Sequence, residues 1–311
     1  MKSLTTLDQL IENYQQQTTV RASSLIITLF GDVIEPHGGS IWLGSLIQAL
    51  QPLGISERLV RTSIFRLTQD NWLTNVKIGR KSYYTLTNYG RSCFEKAFKR
   101  VYSSNPPSWD GTWCIIISSQ LPVERRKIVR EKLEWLGFAL LAPNTMGSPQ
   151  YDRTDIFATL QELEVLDDCI IFFTTQQEIL ASKALTQQVT DSWDIDLLKQ
   201  GYQTFVQSFR PLLQELTLAK TIKPIDAFLI RLLLIHEYRK LQLRDPQLPD
   251  ELLPTDWEGR AARQLCRNIY RLISSSTEKW IHQNLENADG LLAEANRSFY
   301  QRFGGIDISK E

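Results

Sequence analysis

Residues 54–86 constrain this chain more than any other stretch, because a helix-forming pattern there runs directly into a pattern for a two-stranded hairpin. Gly54 marks a tight turn, and Ser56 follows it with a hydroxyl able to accept a hydrogen bond from an orphan amide of a first helical turn. Val60, Ile64 and Leu67 then recur at steps of four and three, which lays one apolar stripe along a helix. At about 100° per residue the opposite face carries Arg58, Arg61, Thr62 and Gln69, with Arg66 on its flank. Phe65 falls on that polar face by phase, where it fits packing under a hairpin, a thymine methyl or another subunit.

The hairpin decides how this face is read. Residues 72–78 and 82–86 are β-prone runs on either side of Gly79-Arg80-Lys81, so a glycine-containing turn sets two cations at a tip, with Lys77 on the approach. Alone, the arginine face fits a solvated helix surface. Followed by a cationic hairpin, it fits a winged helix whose guanidinium, hydroxyl and amide groups meet base edges and phosphates while the wing reaches phosphate or minor groove. The preceding residues supply the expected order. An apolar helix spans 21–34, residues 35–39 form a Pro/Gly turn, 40–42 a short strand and 43–50 a second helix that stops at Pro52.

Net charge over the 311 residues is zero, so affinity for nucleic acid has to come from local asymmetry. Residues 56–100 provide it, with ten basic against three acidic side chains, a local excess of seven. Cys93, Cys114, Cys169 and Cys266 lie far apart with no CxxC or Cys/His cluster, which argues against a zinc site or a disulfide framework and leaves no metal expected. The N-terminus lacks a secretory pattern and no apolar run reaches the length of a membrane span, so a cytoplasmic protein without membrane contact is expected.

The length predicts more than one domain. Residues 1–20 read as a polar N-terminal arm and 21–103 as a winged-helix domain with a linker helix capped by Thr87. The Pro/Ser cluster at 103–107 is the boundary. Strand, helix, strand, then helix and strand over 108–188 predict a ferredoxin-like α/β domain, and 189–300 read as a helical C-terminal domain. The fold class is therefore α+β and multi-domain.

Three segments carry a family resemblance. GGSIWLGSLIQAL with ERLVRTSIFRL and IGRKSYYTL resembles the N-terminal winged helix of the PaaX family of transcriptional regulators. PSWDGTW resembles the opening of that family's central Cas2-like domain, and LIHEYRKLQLRDPQLPDELLPTDWEGRAARQLCRNIY its C-terminal signature. Glu258 stands where many members have the proline of a Trp-Pro-Gly triplet, and Ala139 where a Gly-Phe-Gly motif is common. The resemblance implies a homodimeric repressor of phenylacetate catabolism genes that binds double-stranded operator DNA and leaves it when phenylacetyl-CoA binds, with no cofactor.

Within the C-terminal signature, the candidate effector segment begins at His236; Arg239, Arg244, Arg260, Arg263 and Arg267 offer guanidinium groups to acyl-CoA phosphates, while Tyr238 and Trp257 offer rings beside a phenyl group. The same residues fit blander roles: Arg244-Asp245-Pro246 an ion-paired turn, Trp257 a core anchor. Glu258 adds a negative charge that counts against a phosphate site there.

A Cas2-like metal-dependent nuclease is the competing class. Asp110 lies before the apolar run 114–117, and Asp-Gly is a common turn dipeptide, so no catalytic residue is expected. His37 sits in a Gly-rich turn, His236 in an apolar helix and His282 in a polar one, none beside a nucleophile signature. An RNA reader is disfavoured by the absence of an aromatic RNP pattern or GXXG loop.

Overall fold

The computed structural model describes residues 4–17, 22–103, 109–174 and 183–306. The boundary expected at 104–107 and the side chains of Lys96 and Lys99 lie outside the described residues. The chain divides into two units, one of Met1–Ser104, Tyr202–Leu243 and Glu258–Glu311, the other of Asn105–Gly201 and Arg244–Trp257. The helices read from sequence as one C-terminal domain are thus shared between both units.

The first unit begins with α1 (Thr5–Gln15) and α2 (Ala22–Leu29). The latter passes without a break into a π-helical turn, Phe30–Ile34, and a short 3-10 turn, Glu35–His37. Gly38 and Gly39, both in the left-handed region, turn the chain into β1 (Ser40–Trp42). Next come α3 (Leu43–Leu50), α4 (Glu57–Gln69), β2 (Leu73–Ile78), β3 (Lys81–Leu86) and α5 (Asn88–Tyr102). The three strands form one antiparallel sheet in the order β1-β3-β2, with Trp42 opposite Tyr83 and Leu73 opposite Leu86.

In the second unit, β4 (Cys114–Ile117), α6 (Val123–Trp135), β5 (Ala139–Ala142), β6 (Thr145–Ser148), α7 (Arg153–Glu162) and β7 (Ile170–Phe173) follow in order. The sheet order β5-β6-β4-β7, antiparallel throughout, is the ferredoxin-like topology. Its core gathers Cys114 and Ile116 from the central strand with Val129 and Leu133 of α6 and Ile156 and Leu160 of α7. Then α8 (Lys183–Ser192) packs by β5, where Gln188 and Ser192 donate to the carbonyls of Leu141 and Leu140.

A third group of helices completes the first unit. From Tyr202 onward α9 (Ile195–Leu218) belongs to it, followed by α10 (Pro224–Gln242), α11 (Glu258–Asn284), the strand pair β8 (Glu286–Asn287) and β9 (Gly290–Leu291), and α12 (Arg297–Tyr300). The run Ala227 to His236 in α10 is buried without interruption, because the helix is enclosed by α11, α2 and α5. A helix apolar all round needs neighbours on every side. The one guanidinium in that run, Arg231, consequently needs partners inside the core.

Candidate nucleic-acid interface

Ser56 caps α4 by accepting the amide of Leu59 at 3.3 Å, and Val60, Ser63, Ile64 and Leu67 turn inward against α2 and α3. The inward stripe fixes the rotation of the helix, so Arg58, Arg61, Thr62, Phe65, Arg66 and Gln69 are all exposed. Phe65 keeps 64% of its surface open, which rules out packing under the hairpin. Thr62 donates its hydroxyl to the Arg58 carbonyl, and Arg61 pairs with Glu57 at 2.7 Å. That pair is exposed on both sides, so it holds the guanidinium only weakly.

On the hairpin, Leu73 alone of β2 is buried, and Lys77 and Arg80 are exposed around a tip where Gly79 takes a φ of 59°. Lys81 differs from its neighbours. Its ammonium lies 4.1 Å above the Trp42 ring and 3.1 Å from Glu286, so the side chain ties the hairpin to β1 and β8.

The residues considered for an effector are divided between the two units. Arg244 and Trp257 belong to the second unit, the former exposed and the latter 7% exposed. In the first unit His236 is a core residue: its Nδ1 lies 3.1 Å from the Thr28 hydroxyl and its ring meets Tyr14 edge-on. Burial, then Lys240 and Arg239, pushes its pKa down to about 3. Tyr238 is fully buried against Phe205, and Arg239 donates to the carbonyl and hydroxyl of Ser24. Arg260, Arg263 and Arg267, at steps of three and four along α11, remain exposed or half-buried.

Comparison with known proteins finds matches to three consecutive segments of the chain. Residues 21–90 match the PaaX-like protein model, 106–187 the PaaX protein central Cas2-like domain and 193–283 the PaaX-like protein C-terminal domain. The transcriptional repressor PaaX of Escherichia coli (strain K12) is 40% identical over 306 residues, spanning 98% of this chain and 97% of that protein. The chain belongs to the PaaX family. Among solved structures, uncharacterized protein Rv0674 from Mycobacterium tuberculosis shares the fold, with a TM-score of 0.51 at 17% identity over 82% of this chain and 97% of that one. The central domain matches the Cas2-like model and has the ferredoxin-like sheet order. Among the described residues no helix is long and apolar enough to cross a membrane.

A buried charge cluster is what sequence reasoning missed in this PaaX-family chain. Arg231 donates to both the carboxylate (2.6 Å) and the carbonyl (2.8 Å) of Asp32, and to Glu278 at 2.7 Å. Arg302, beyond α12, donates to Asp32 and to the Tyr270 hydroxyl. Tyr102 at the end of α5 and Tyr270 of α11 donate to the same carboxylate at 2.6 and 3.0 Å. Two carboxylates and two guanidiniums thus balance in a site closed to solvent, joining the π-turn, α5, α10, α11 and the tail. The available signal was charge inside apolar runs: Asp32 in residues 29–34 and Arg231 in 227–235.

Proposed function

We propose that this chain is a DNA-binding transcriptional repressor of phenylacetate catabolism genes, a homodimer that reads operator DNA with a winged helix-turn-helix and is released by phenylacetyl-CoA. One observation carries the reading. On α4 the entire face away from the core is exposed and bears Arg58, Arg61, Thr62, Arg66 and Gln69, and the adjoining hairpin exposes Lys77 and Arg80 beside it in sequence. Side chains of these kinds suit base edges on the helix and phosphates on the wing. That the Escherichia coli relative is a transcriptional repressor supports the repressor role.

A non-enzymatic role is part of the same reading. Asp110 accepts the amide and hydroxyl of Thr112 through a single oxygen, at 2.9 and 2.7 Å, and these bonds, the hydroxyl first, hold its carboxyl below the usual range. This is turn geometry, in keeping with its place before β4.

A gel shift on the DNA upstream of the chain's own gene, with and without phenylacetyl-CoA, tests the proposal. Retarded DNA that is freed by the acyl-CoA, and not by free CoA or phenylacetate, is the expected result. Retardation indifferent to the acyl-CoA would remove the effector from the proposal, and no duplex binding would remove the whole reading.

A further inference from the structure

The turn at His37 and the end of α11 bring two imidazoles and a carboxylate together in the first unit, His37 and Glu278 buried and His282 half-buried. His37 Nε2 lies 2.8 Å from Glu278 Oε2, and His282 Nε2 lies 3.9 Å from the same oxygen and 3.6 Å from Glu294 Oε2. One ligating atom from each of His37, Glu278 and His282 lies within 4.8 Å of the others.

Both rings are oriented by the backbone. His37 Nδ1 is 2.5 Å from the carbonyl of Val33, and His282 Nδ1 is 3.0 Å from that of Leu292. A carbonyl only accepts, so each Nδ1 carries the hydrogen and each Nε2 is turned toward the carboxylate. Glu278 and His282 are four residues apart on α11 and so share a face, while the other oxygen of Glu278 receives Arg231 at 2.7 Å. Histidines fixed through Nδ1 and a carboxylate braced by a guanidinium are the outer hydrogen bonds that orient metal ligands.

His282 Nε2 adds an independent observation. It is buried without a hydrogen-bond partner, and its two nearest carboxylate oxygens stand at 3.6 and 3.9 Å, too far for a hydrogen bond. Two atoms bound to one tetrahedral zinc ion stand about 3.3 Å apart, given bonds of about 2.0–2.1 Å. The separations of 2.8 and 3.9 Å in this group bracket that value.

We propose that His37, Glu278 and His282 form a site for one divalent transition-metal ion, zinc foremost, with Glu294 or a water as fourth ligand. Two imidazoles and one carboxylate suit zinc better than calcium or magnesium, which favour all-oxygen shells. The ion would fasten the end of α11 to the turn that leads into β1. Sequence spacing conceals the group, since His37 and Glu278 are 241 residues apart.

Full-length protein stripped with a chelator and titrated with zinc chloride against a chromophoric competitor tests this. Expected are about one zinc ion per chain, a higher Tm with zinc than without, and loss of more than about 100-fold in affinity for His282→Gln. His282 is partly exposed at 26%, so that variant should fold. Cobalt(II) added to the wild-type chain should give the intense visible absorption of a four-coordinate ion, a readout independent of any variant. No zinc uptake by the folded wild-type chain, equal uptake by His282→Gln, or a six-coordinate cobalt spectrum would each overturn the assignment.

Discussion

Asp32 is 1% exposed and accepts hydrogen bonds from two arginines and two tyrosines, so loss of its carboxylate would leave Arg302 without a buried carboxylate and Arg231 with Glu278 alone. Asp32→Asn should lower unfolding stability by about 3–5 kcal/mol, seen as a lower urea midpoint. A loss under about 1 kcal/mol would mean that the arginines re-pair without it. That Arg231 needs a partner was legible in its apolar run. Which partner was not, because Asp32 lies 199 residues away and only the packed helices bring them together. His236 makes a second prediction at this scale. Its folded pKa of about 3 is depressed, so between about pH 6.5 and 3 the unfolded chain holds a proton that the folded chain refuses. Stability therefore falls as pH drops through that window, by about 2 kcal/mol between pH 7 and 5 from this group alone. Glu278, lowered to about 2 despite its burial by its bonds to His37 and Arg231, loses its contribution as pH falls from the ordinary carboxylate range toward 2, so it overlaps only the acid end of the His236 window and contributes little between pH 7 and 5. Urea melts at both pH values should show His236→Gln losing about 2 kcal/mol less than wild type on acidification; identical losses would mean that His236 charges in place.

At the scale of elements, α4 and its hairpin were legible because their signals are local: a cap, a stripe at helical spacing, a glycine turn between alternating strands. The strand β6 was not. Thr145, Met146, Gly147 and Ser148 hold one large apolar side chain, and the segment is a strand because it fills the gap between β4 and β5 after a turn in which Asn144 takes a φ of 61°. Tertiary pairing there overrides weak propensity. Sequence also left Phe65 with three roles, and its exposure on α4 leaves two, a thymine methyl or another subunit. On the proposed reading the cations divide their work. Arg66→Ala should cost about 1–3 kcal/mol on operator DNA and relax discrimination between sequences, whereas Arg80→Ala should weaken all duplexes alike and lower the salt slope by about one. Lys81, held by Trp42 and Glu286, should contribute less to that slope than the sequence alone implies. Salt titrations of all three variants measure this; unchanged affinity for Arg66→Ala and Arg80→Ala would exclude the helix and wing as the reading unit.

For the whole molecule, the proposed operator reading asks for two copies, since a single winged helix contacts too few base pairs to be selective in a genome. Strand β7 is an edge of the four-stranded sheet with Ile170 and Phe172 both about half exposed, at 48 and 53%, which offers apolar surface for pairing. Light scattering at micromolar concentration should give a dimer; a monomer both free and on DNA would defeat the two-fold model. The effector is the remaining whole-molecule question, because a ligand shifts DNA binding only through different affinities for the DNA-competent and DNA-incompetent states. His236 and Tyr238 are committed to core packing, so their substitution would confuse folding with sensing. Arg263 and Arg267 are half-buried on α11, and the Nε of Arg263 is buried without a partner among the described residues, which makes this pair the one to test for the proposed acyl-CoA phosphates. A hydrogen bond to a charged group is worth about 1.5–3 kcal/mol, or roughly 10–100-fold in affinity. Arg263→Ala and Arg267→Ala should accordingly retard operator DNA as wild type does yet need at least about tenfold more phenylacetyl-CoA to release it. If both variants fold, bind DNA and release it at the wild-type concentration, this face of α11 is not where the acyl-CoA phosphates bind.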